Sequence, residues 1–279
     1  MITTSIIVGI FGCILVIYLV FFIIRKYHQK KVMSMPFPKD WKTIFKANIP
    51  IYKYLSNEFK TELKSLTLQF MSSKDFEGCG GLEITDEIKI TIAGEACLLL
   101  LNRNITKCFP GLHTILVYPN AYVAQGKNAL QGGVIKSSES VRLGESWQNG
   151  AVVLAWDHVK VQALNFHDGH NVVLHEFGHQ LDQENGSANG TPILKNRSSY
   201  KTWGKVLSSD FMELQLKTQS NQVDVIDSYG ATNPAEFFAV ATETFFEKPK
   251  QLHCNHPRLF EELKKYYNLD PTIWTETEA

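Results

Sequence analysis

Residues 171–186 read NVVLHEFGHQLDQENG, and within them His175, Glu176, Phe177, Gly178 and His179 spell HExxH. On a helix, positions i and i+4 share a face, so the imidazoles of His175 and His179 reach one ion. Neutral imidazole nitrogens suit zinc, at about 2.0–2.1 Å. Glu176 lies one position round from His175, beside the ion rather than on it, where a carboxylate takes a proton from activated water. A pattern with two free positions also arises by chance on an ordinary helix. Three features count against chance. Val172, Val173, Leu174 and Leu181 make the remaining positions apolar, which implies burial. Buried histidines and acids need partners, because unpaired polar groups in a core are costly. Asn185-Gly186 then supplies a helix stop about two turns after the second histidine.

A catalytic zinc takes three protein ligands and keeps one position open. The third ligand is sought downstream in SYGATNPAEFFAVATETFF, residues 228–246. Asn233-Pro234 reads as an N-cap and first helical residue, which puts Glu236 at the third helical position. Asn233-x-x-Glu236 is equally a capping box, in which Glu236 only caps its own helix. Glu243 lies seven residues on, on roughly the same face. Phe237, Phe238, Val240, Phe245 and Phe246 make the segment apolar nearly all round, so both acids need buried partners. At this level Glu236 and Glu243 stand nearly equal as ligands. Asp182, one turn past His179, reads either as a carboxylate orienting an imidazole or as a surface acid. His167 and His170 fall in FHDGH, read as a turn and entry to the motif helix, and His113, His158, His253 and His256 have no ligand spacing; all six read as ordinary histidines.

Working outward, HTILVY (113–118) and AVVLAW (151–156) are short apolar runs that predict strands. Residues 51–72 carry apolar side chains at spacings of three and four and predict a helix. Residues 84–101 fit either a buried helix or a strand, and 185–200 are rich in Asn, Gly and Ser and predict a loop. Strands in the first half and helices in the second imply an α+β architecture. The five cysteines are scattered and odd in number, so no disulfide framework is implied.

The chain has 279 residues with 28 basic and 28 acidic side chains, a balance that argues against direct nucleic-acid binding. That zero is a sum of unlike parts. Residues 1–39 hold five basic and no acidic side chains, leaving the rest at a net of −5. Ile6–Ile24 is a run of 19 uncharged residues followed by Arg25, Lys26, Lys30 and Lys31. It is long enough to cross about 30 Å of hydrocarbon. The expected plan is therefore a transmembrane anchor over 1–24, a basic juxtamembrane linker over 25–40, and a catalytic domain over 41–279. By the positive-inside rule that domain faces the cytoplasm from a single-pass position in the cytoplasmic membrane.

HEFGHQLD and YGATNPAEFFAVATETFF, together with FEGCGGLEITDEIKITIAGEACLLLL (76–101) and the ILVYP and VVLAWD runs, resemble the Mlc titration factor A family of zinc peptidases. The resemblance covers about residues 37–275. It implies a zincin-like fold related to the catalytic domain of anthrax lethal factor, cytoplasmic peptidase activity on peptides, one zinc ion per chain, and binding of a transcriptional repressor. Carried onto this sequence, it makes His175, His179 and Glu236 the zinc ligands, Glu176 the general base, Tyr229 the active-site tyrosine, and Glu243 an acid behind the ligands. The alternative it leaves is a zinc-containing docking module that sequesters a regulatory protein with little catalysis.

Overall fold

The computed structural model describes residues 34–129, 135–142, 144–147 and 150–274, with positions 16, 18–20, 22–24, 26, 27, 31 and 32 before them. At its centre is a four-stranded sheet of β1 (Asp75–Gly78), β2 (Thr114–Tyr118), β5 (Gly144–Trp147) and β6 (Ala151–Ala155), in the order β1-β2-β6-β5. β1, β2 and β6 run parallel, and β5 pairs antiparallel with β6. The two predicted strands are thus its middle pair. Ile115, Val117, Val152 and Leu154 are fully buried, as expected of strands covered on both faces. β1 ends at Gly78 and lies between the predicted 51–72 helix and the 84–101 run, where no element is predicted. A second element absent from the sequence reading is the antiparallel hairpin of β3 (Tyr122–Ala129) and β4 (Ile135–Arg142).

Helices α1 (Lys39–Asn48), α2 (Asn57–Ser73) and α3 (Asp86–Leu98) are interleaved with the first strands. The first half is therefore not purely β. Ser56 caps α2 and Thr85 caps α3, each hydroxyl accepting an N–H from three residues on. The ambiguous 84–101 run is a helix because it is buried nearly all round, which erases the polar face that would have shown its period. α4 (Trp156–Leu164) follows β6 directly, so Trp156 of the AVVLAW run starts a helix. The motif helix α5 (Val172–Asp182) follows. Next come α6 (Arg197–Gln219), α7 (Pro234–Glu247), α8 (Pro249–Asn255) and α9 (Pro257–Tyr267).

α5 and α7 pack against each other through Gly178 and Ala239. On the far side of α5, Phe177 is fully buried between Phe70 and Phe109, at ring centroid distances of 5.7 and 4.8 Å. Burying such a ring contributes about 3 kcal/mol. The motif's apolar positions thus fix the histidine face toward α7. The predicted stop is present. Gln183–Asn185 form a 3-10 turn and Gly186 takes φ +91°, a conformation that favours glycine.

The membrane assignment is corrected. Among the described residues no helix is long and apolar enough to cross a membrane, which overturns the single-pass, membrane-held placement. The proposed anchor, Ile6–Ile24, lies for the most part outside the described residues. The linker reading of 25–40 is shortened at its end, since α1 begins at Lys39.

Candidate metal centre

Asn171 sets the start of α5. Its side-chain Oδ1 accepts the Leu174 N–H at 3.0 Å, an ordinary N-cap. Its own N–H donates to Glu243 Oε2 at 2.6 Å, and its Nδ2 donates to Glu95 Oε1 at 2.9 Å. One buried asparagine thus ties the motif helix to α7 and to α3.

On the face turned to α7, His175 Nε2 and His179 Nε2 stand 3.2 Å apart, their rings 84° from coplanar. Glu236 Oε2 lies 3.0 Å from the first nitrogen and 3.2 Å from the second. Asn233 accepts the N–H groups of Ala235 and Glu236, so the helix start is capped by the asparagine, and the Glu236 carboxylate is free to reach across to α5. Glu243 takes the other side of His175, with Oε1 2.7 Å from Nδ1. The two acids that stood level in sequence therefore occupy different positions, Glu236 among the converging atoms and Glu243 behind them.

The donor set fits a tetrahedral zinc ion. Ligands at about 2.0–2.1 Å from one tetrahedral centre stand about 3.3–3.4 Å from each other, close to the separations just given. Glu243 accepts the Nδ1–H, so the Nε2 lone pair of His175 turns toward the shared point. The electrostatics make the same demand. Burial opposes a positive charge on His175, yet Glu243 and Glu236 outweigh it and hold its pKa well above the usual value. Burial would raise Glu236, but His175 and His179 bring it down to about 2. The site therefore attracts positive charge. Glu176 lies alongside, its Oε2 buried with no hydrogen-bond partner, and burial pushes its pKa up to about 7 against the pull of the two histidines.

Tyr229 lies on a 3-10 turn, Ser228–Ala231, which Asp227 caps by accepting the Tyr229 N–H at 2.7 Å. Its ring centroid is 5.9 Å from that of His175 and its side chain is half exposed, at the mouth of the centre. Asp182 is fully buried, and its Oδ2 accepts the Gly190 N–H at 2.7 Å. It thus clasps the loop after the motif and is not a surface acid. Gly190 takes φ +76°, and a Cβ there would stand 2.4 Å from the Pro234 carbonyl oxygen. The loop is pressed against the start of α7, two residues from Glu236.

Asn171 and the acids behind it stand outside the ligand and base set that the sequence predicts. Glu95 and Glu247 are buried, and each has one oxygen without a partner, Glu95 Oε2 and Glu247 Oε1. Burial pushes Glu95 up to about 8 and Glu247 to about 9. Glu95 is thus protonated in the folded chain at neutral pH and ionised in the unfolded one. Between about pH 4.5 and 8 only the unfolded state sheds this proton, so the contribution of Glu95 to stability falls as pH rises through that window. Glu95→Gln should remove this loss, stabilise the protein by on the order of 1–3 kcal/mol at pH 7, and leave stability near pH 4 unchanged. Denaturant melts at the two pH values check it.

The family comparison agrees with this chemistry. The glucose-regulated metallo-peptidase M90 family matches residues 24–268. An uncharacterized protein of Synechocystis sp. is 40% identical over 248 residues, covering 88% of this chain and 90% of its own. Mlc titration factor A of Klebsiella pneumoniae is 31% identical over 226 residues, covering 80% and 84%, and that of Salmonella gallinarum 30% over 237 residues, covering 84% and 88%. With a match over most of its length and the site that the family's name calls for, the chain belongs to the M90 metallo-peptidases, the family of Mlc titration factor A.

Proposed function

We propose that this chain is a zinc-dependent peptidase that hydrolyses peptide bonds with activated water. One observation carries the reading: two imidazole nitrogens and one carboxylate oxygen converge on a single point beside the buried, unpartnered oxygen of Glu176. His175, His179 and Glu236 would hold the ion. Zinc bound there supplies a Lewis acid that acidifies water and polarises the scissile carbonyl. Glu176 takes the proton of the attacking water and returns it to the leaving amine. Tyr229, half exposed beside His175, donates its hydroxyl hydrogen to the developing oxyanion. Glu243 keeps the His175 ring oriented.

The test is cleavage of a mixed peptide library followed by mass spectrometry. Cleavage should vanish on chelation and return with added zinc, and cleavage that persists in metal-stripped protein would sink the proposal. Tyr229→Phe should lower kcat by up to about 10²-fold with little change in KM. A fall in KM-limited binding alone would remove Tyr229 from the oxyanion role.

The name of the enterobacterial relatives, Mlc titration factor A, favours a second reading in which the same domain sequesters a regulatory protein. A docking module keeps its partner uncut and still captures it after Glu176→Gln.

A further inference from the structure

A second group of side chains, outside the centre just described, has the composition and arrangement of a ligand set. Asp210 and Glu213 lie three residues apart on α6, and so on one face. His256 stands at the junction of α8 and α9. We infer that Asp210, Glu213 and His256 form a second divalent-cation site, of the mixed imidazole–carboxylate kind that suits zinc and its first-row neighbours.

Four observations support it. The ligand atoms of the three residues all lie within 4.8 Å of one another, and among the described residues only this group and His175/His179/Glu236 do so. The imidazole of His256 is held from behind. Its Nε2 lies 2.9 Å from Asp224 Oδ1 while its Nδ1 faces Asp210 Oδ1 at 2.7 Å. Asp224 is itself fixed by the Ile226 N–H at 3.0 Å and Lys217 Nζ at 2.7 Å. This repeats the way Glu243 backs His175, with the roles of the two ring nitrogens exchanged, and it leaves Nδ1 to the ion. Third, the approach is open. The His256 side chain is 1% exposed, but that of Asp210 is 13% exposed and that of Glu213 52%, so solvent reaches the ligand side and water completes the coordination. Fourth, the charge is unbalanced. Burial opposes a charge on His256, but Asp210 and Asp224 hold its proton and raise its pKa to about 9, so Asp210, Glu213 and Asp224 face Lys217 and one imidazolium with one negative charge in excess; an ion that displaces that proton from Nδ1 meets two.

Lys217 is the resident competitor, its Nζ 2.6 Å from Glu213 Oε1. An entering ion displaces it from Glu213, and Asp224 retains it. The bound ion would pin α6 to the start of α9 and to the 220–227 segment that leads into the Tyr229 turn.

The full-length protein, stripped of metal, is titrated with Co2+ or Zn2+ alone, and bound metal is counted per chain. Wild type should take up two equivalents, and the double variant His175→Ala/His179→Ala should keep one. Glu213→Gln and Asp210→Asn should each weaken the second equivalent at least tenfold and leave the first unchanged. Glu213 is half exposed, so its variant stays folded and decides the matter even if Asp210→Asn does not. A single equivalent in wild type, or a second equivalent that survives Glu213→Gln at unchanged affinity, overturns the site and leaves a salt-bridge network around a protonated His256.

Discussion

Glu176→Gln is expected to keep its zinc and lose peptide cleavage by about 10²–10⁴-fold, the range for removing a positioned acid–base group. The substitution keeps the shape of a side chain that is 5% exposed, so folding should survive. Zinc should stay because Glu176 is not among the three converging donors. What disappears is the one buried oxygen at the centre that has no partner and can take a proton. Metal analysis and turnover on the same sample give the answer. Turnover within tenfold of wild type in metal-replete protein would remove Glu176 from the base role.

Glu236→Ala has the opposite signature, a loss of metal. Among the described residues, its Oε2 is the only carboxylate oxygen placed against both Nε2 atoms. Glu243→Gln is the instructive comparison. The Glu243 carboxylate accepts two N–H groups, from Asn171 and His175, and an amide has a single oxygen with which to do so. Loss of such a supporting partner costs about 10–100-fold in metal affinity, and loss of Glu236 should cost more than that. Competition with a calibrated chelator ranks the two. Equal losses, or a larger one for Glu243→Gln, would reverse the ligand assignment.

The HExxH face, the stop at Gly186 and the N-cap at Asn233 could be read from sequence because each rests on spacing within one element. The choice between Glu236 and Glu243 could not. Both lie on one helix face, and what separates them is the depth at which α7 meets α5, a tertiary fact. The resemblance to a known family points to Glu236, and the crossing of the helices sets its Oε2 against both Nε2 atoms while Glu243 meets Nδ1. Asn171, Glu95 and Glu247 escaped notice because they come from three separate elements, none with a local signature. His256 escaped for the same reason, since its partners lie 46 and 32 residues away. α3 is ambiguous in sequence through burial on every side, and β1, four residues long, has no predicted counterpart.

The clasp formed by Asp182, Gly190 and Pro234 also bears on how the protein resists heat. Trp203 Nε1 donates to the Gly190 carbonyl at 3.0 Å, so the loop joins the end of one ligand-bearing helix, the beginning of the other and α6. The two halves of the metal set cannot separate without releasing that loop and its buried tryptophan. Release of a metal held by His175, His179 and Glu236 would thus share a step with unfolding. A zinc ion that binds only the closed arrangement stabilises it by mass action, and the melting temperature of the whole domain becomes a gauge of zinc occupancy.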